Sequence, residues 1–169
     1  MVRRIIAALA LAALAPPAHA QTTYGLTCAH IQAVAASIQG DLRDIRGGVL
    51  GSTTFEARVN LPSYFNCMLT DMGGPFLACA RFVGSEDMGR EDYKAQTGLL
   101  AACLPEARAL PPEAVDSALL KRLEGTRYIQ TTPKGLLTIG IILAEDRAQP
   151  KVRHQIMIGF RLLPPDTPV

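Results

Sequence analysis

Four cysteines, Cys28, Cys67, Cys79 and Cys103, follow an N-terminus that reads MVRRIIAALALAALAPPAHA. Together these two features constrain the fold more than anything else in the chain. Arg3 and Arg4 precede an unbroken apolar run from Ile5 to Ala15. Pro16 and Pro17 end any helix there. Ala18-His19-Ala20 has the small-x-small form that signal peptidase cuts, so residues 1–20 have the layout of a secretory signal. The run is shorter than the roughly 20 apolar residues of a membrane-spanning helix, and no cysteine follows the cut to carry a lipid. An exported chain with an even number of cysteines is expected to bond them to one another. Metal and redox readings lack their spacing. There is no C-x-x-C or C-x-x-C-H, and only His30 and His154 remain after cleavage. No cofactor and no metal are expected.

Residues 21–169 suit a single disulfide-stabilised domain. The signal takes two of the 17 basic residues and none of the 15 acidic ones, leaving 15 of each. A near-zero net charge with scattered basic residues gives no electrostatic reason to bind nucleic acid or an anionic membrane. The longest later apolar stretch, GLLTIGIILA at 135–144, is too short to span a bilayer and reads as a buried strand.

Periodicity supplies the elements. Cys28, Ile31, Val34, Ala35, Ile38, Leu42 and Ile45 recur at helical steps over 27–46, with Thr27 as N-cap and Gly47-Gly48 as stop. Residues 52–62 alternate as a half-buried strand. Residues 64–71 and 75–84 form a hairpin about Met72-Gly73-Gly74. A helix over 89–104 follows, with Glu91 and Asp92 near its positive end. PPEAVDSALLKRLEG (111–125) reads as a short helix with proline at its start and glycine at its end. Strands over 126–132, 135–144 and 152–162 close the chain. The order α-β-β-β-α-(α)-β-β-β predicts an α+β domain in two layers. An antiparallel sheet of about six strands would carry two main helices, and the short one, on one face.

The cysteines are then placed on this layout. If the second helix runs back along 76–84, Cys103 comes near Cys79 and Cys28 is left for Cys67. Cys28–Cys67 with Cys79–Cys103 is therefore the preferred pairing, and each bond would pin a helix to the sheet. Cys67–Cys79 with Cys28–Cys103 is the alternative, because the first two face each other in the hairpin.

Catalytic patterns are sparse, and no catalytic residue is assigned. There is no G-x-S-x-G elbow, and GGVLGST (47–53) lacks the Gly-Lys of a phosphate loop. The acidic cluster Glu86, Asp87, Glu91 and Asp92 lacks the D-x-[DN]-x-[DN]-G pattern of a calcium loop, and it makes a poor glycosidase pair because adjacent side chains point apart. His154, on the apolar side of the last strand, is the one histidine singled out for a possible role. Four dispersed tyrosines and no tryptophan disfavour a sugar-stacking groove. The expectation is an exported, non-enzymatic binding protein of the bacterial envelope, of inhibitor, immunity or accessory type. Its place would be the periplasm, with secretion as the alternative. It would meet another envelope or extracellular protein through the polar face of the terminal hairpin or a sheet edge. The two alternatives are a carrier of a small apolar ligand held between helices and sheet, and a hydrolase using His154 or the acidic cluster.

Overall fold

The computed structural model describes residues 25–71, 74–112, 118–148 and 154–167. The signal segment 1–20 and the turn residues Met72 and Gly73 lie outside them. The chain forms an α+β domain built on a single antiparallel sheet of eight strands. In chain order these are α1 (Cys28–Gln39), β1 (Arg46–Val49), β2 (Thr54–Ala57), β3 (Phe65–Asp71), β4 (Pro75–Val83), α2 (Glu86–Cys103), β5 (Arg108–Leu110), β6 (Leu120–Thr132), β7 (Gly135–Asp146) and β8 (His154–Leu163). Across the sheet the strands run β1-β2-β3-β4-β8-β7-β6-β5. Both helices pack on one face of it.

Three element assignments differ from the sequence reading. The first helix ends at Gln39, because Gly40 breaks it instead of merely weakening it. The apolar steps at Leu42 and Ile45 continue through a 3-10 turn, Leu42–Asp44, and Gly47-Gly48 belongs to edge strand β1. A short strand, β5, precedes β6 and pairs with it. The helix expected over 111–125 is absent from its described part. Residues 113–117 lie outside the description, and from Leu120 the chain is already β6, paired with β7 from Leu120↔Asp146 onward. Strand pairing overrides the helix-forming composition of LKRLE.

The layer between helices and sheet is closely packed. Leu69, Leu77, Ile139, Ile141, Leu143, Ile156, Ile158 and Phe160 from the sheet meet Ile31, Ile38 and Leu100 from the helices. All of these side chains are sealed from solvent. A Cβ on Gly89 of α2 would lie 2.7 Å from Leu143 Cδ1, so only glycine lets the helix sit this close.

The disulfides follow the alternative pairing, Cys28–Cys103 and Cys67–Cys79. The preferred pairing fails on the length of α2. Asp92 of α2 is paired with Arg81 of β4. From that point the helix runs on for about 16 Å to Cys103, whereas Cys79 is only about 7 Å along the strand. The helix overshoots Cys79 and brings Cys103 to the first turn of α1. Cys67 is aimed at Cys79 by a bulge. Phe65 pairs with Ala80 and Met68 with Ala78, so Asn66 and Cys67 together oppose Cys79, and Asn66 takes the left-handed conformation at φ 50°. Formed disulfides place the chain among proteins that fold outside the reducing cytoplasm. Among the described residues no helix is long and apolar enough to cross a membrane.

Candidate functional site

The face of the sheet turned away from the helices carries the candidate site. One row across it reads Arg127 on β6, Gly140 on β7, Gly159 on β8, Ala78 on β4 and Met68 on β3. Ile142, Met157 and Ala80 stand on one side of this row, and Thr138, Arg161, Phe76 and Thr70 on the other. The floor is low at the glycines and alanine, and the flanks rise around it. A groove of about 370 Å³ results. Among the described residues nothing lies within 4 Å of the point where a Gly140 Cβ would stand, whereas a Cβ on Gly159 would touch the Phe76 ring at 3.1 Å. Pro112 closes one end, 2.9 Å from where a Gly125 Cβ would be. Towards β3, Phe65 and Met68 extend the apolar surface, with the Phe65 ring packed at a tilt against Phe82, 5.1 Å between centroids. The terminal hairpin's outward face is therefore mainly apolar, contrary to the polar face expected of it.

Two arginines and three threonines interrupt this apolar lining. Thr138 Oγ1 donates to the Arg161 carbonyl at 3.4 Å, and Thr70 Oγ1 to that of Phe76 at 3.5 Å. The Nε of Arg161 is sealed from solvent and has no hydrogen-bond partner among the described residues. The groove lies on the far side of the sheet from the place expected for an apolar ligand, between helices and sheet. It escaped the sequence reading because the two glycines become neighbours only through the β7–β8 register. A signal was present, since each glycine interrupts the interior of an otherwise apolar strand.

The residues singled out from sequence are distributed differently. His154 opens β8, and its Nε2 lies 3.9 Å from Glu86 Oε2 at the start of α2. Arg90 donates to Glu86 through Nε and Nη2 at 3.0 and 2.6 Å, and also pairs with Glu124. These hydrogen bonds hold the Glu86 carboxyl below its ordinary value. Asp87 and Glu91 are exposed. Asp92 is buried, paired with Arg81, and accepts from Gln96 at 3.1 Å. Gln96 in turn accepts from Tyr64. Burial raises the Tyr64 hydroxyl well above its ordinary value. The acidic cluster is thus split between a helix-start ion pair and a core network, with no facing pair of carboxylates. His30 hydrogen-bonds Thr27 Oγ1 at 2.9 Å and belongs to the start of α1. Among the described residues no three His, Cys, Asp or Glu side chains are gathered to hold a metal ion. Comparison with protein-family models, with curated proteins and with solved structures gives no match.

Proposed function

We propose that this is an exported, non-enzymatic binding protein of the bacterial envelope, resident in the periplasm, that holds a small, largely apolar molecule in the groove. The observation that carries this reading is the glycine floor. Two central strands give up side chains at adjacent positions, Gly140 and Gly159, in a sheet whose other face is filled. The volume falls in the range of small-molecule sites rather than of flat protein-binding surfaces. The split of the acidic cluster and the helix-cap role of His30 favour binding over hydrolysis.

The test is fluorescence titration with Nile red, a neutral dye that brightens in apolar sites. The wild-type protein should bind it, and Gly140→Leu, which fills the groove, should weaken binding at least tenfold. Failure of the wild-type protein to bind, or equal binding by the variant, would refute the reading. A second reading rests on strand β1. It ends one sheet edge, and Val49 and Leu50 there are 75% and 61% exposed, which suits a partner that adds a strand.

A further inference from the structure

We infer that the groove selects a carboxylate attached to an apolar body, and that Arg161 is the anchor for the acid group; this rests on the groove being a ligand site. Arg161 sits on central strand β8, beside Gly159 and across from Phe76. Strand position leaves its side chain on the groove face, and it lines the groove. Among the described residues it makes no ion pair, while Arg127 has an interaction of its own. No acidic residue is among the described groove lining. A guanidinium is always charged, and its planar fork matches a carboxylate with two parallel hydrogen bonds. The Arg161 charge has no counterion among the described residues, and a ligand carboxylate seated at that end of the groove would supply one. The lining around it is apolar apart from the threonines, so the remainder of the ligand must be apolar as well. A fatty or aromatic acid has this chemistry. A phosphate monoester brings a second negative charge that Arg161 alone does not balance, and a sulfate ester spreads its single charge over three oxygens, of which the fork takes two.

The experiment compares decanoate, decanol and decyl sulfate by calorimetric titration of the full processed protein, with Nile red as the reporter of the groove itself. Wild-type protein should bind decanoate at least tenfold more tightly than decanol, and more tightly than decyl sulfate. Arg161→Gln should abolish that preference, with decanol and Nile red titrated on the same variant as the measure of any change in the groove itself. Arg161→Lys, which keeps the charge without the fork, should retain part of the preference. The wild-type comparison needs no variant and stands even if Arg161→Gln fails to fold. Equal binding of decanoate and decanol overturns the inference but leaves the groove reading intact. So does an undiminished preference in Arg161→Gln, or one lost only in Arg127→Gln. Tighter binding of decyl sulfate overturns the carboxylate assignment. Loss of Nile red binding by the wild-type protein fells both.

Discussion

Replacing Gly140 with valine should stabilise the protein and disable it in one step. Gly140 lies mid-strand in β7, paired to Arg127 on one side and to Gly159 on the other. A Cβ added there meets nothing within 4 Å among the described residues, so none of them opposes it by overpacking. The backbone is extended, and glycine loses more conformational freedom on folding than any other residue. Removing that freedom from the unfolded chain is worth about 0.4–1 kcal/mol, and the strand preference of valine adds to it within a scale of about 1 kcal/mol. The sum is a gain of about 1 kcal/mol, or a Tm about 2–4 °C higher for a domain of this size. Circular dichroism melts of oxidised wild-type and Gly140→Val protein measure the first part, and Nile red titration the second. A variant that melts lower would show that the groove floor is not open space. A variant that melts higher yet binds dye normally would show that the ligand does not use it. Gly159→Val is the control in the opposite sense. Its Cβ begins 3.1 Å from the Phe76 ring, so the strand gain is offset by crowding and the melt should rise less or fall.

Three more predictions follow from the core and the crosslinks. In the chain-entropy picture, the double Cys28→Ser, Cys103→Ser variant should lose about 4.5 kcal/mol and the Cys67→Ser, Cys79→Ser variant about 2.8 kcal/mol; the opposite ranking in urea melts would count against the pairing. Asp92→Asn leaves the Arg81 charge buried without its counterion and should cost about 3–5 kcal/mol, whereas Asp87→Asn, at an exposed position, should change stability by less than about 0.5 kcal/mol. The raised Tyr64 value means that above about pH 10 the unfolded chain releases this proton before the folded one does. Stability should therefore be level below that pH and fall as it rises further, with a shallower fall in Tyr64→Phe when both are followed by urea melts from pH 8 to 11.

The parts of the fold legible in the sequence rest on local order alone. The β3–β4 and β6–β7 hairpins join neighbouring stretches, and their alternation and turn residues are local. The parts not legible there are those in which a distant partner decides the outcome. LKRLE at the start of β6 has helix-forming residues, but its backbone hydrogen bonds go to β7. Gly47 looks like a helix stop, yet its place is set by β2, whose Glu56 carbonyl would lie 2.9 Å from a Cβ there. Arg81 is a charged residue on the apolar face of β4, and it is tolerated there because Asp92 arrives from α2 to meet it. The pairing of cysteines depended on how far α2 overshoots, which no single stretch records. The groove was hardest to see, since its floor is a relation between β4, β7 and β8.

The disulfide connectivity has a consequence for how the protein is made. The bond between Cys67 and Cys79 is nested inside the loop closed by Cys28 and Cys103, so the cysteines do not pair in the order in which synthesis delivers them. A chain emerging from its N-terminus presents Cys28 and Cys67 together before either correct partner exists. An oxidant that joins cysteines as they appear would lock in the wrong bond. Correct maturation then requires Cys28 to wait for the end of α2, or an isomerase to undo the premature link.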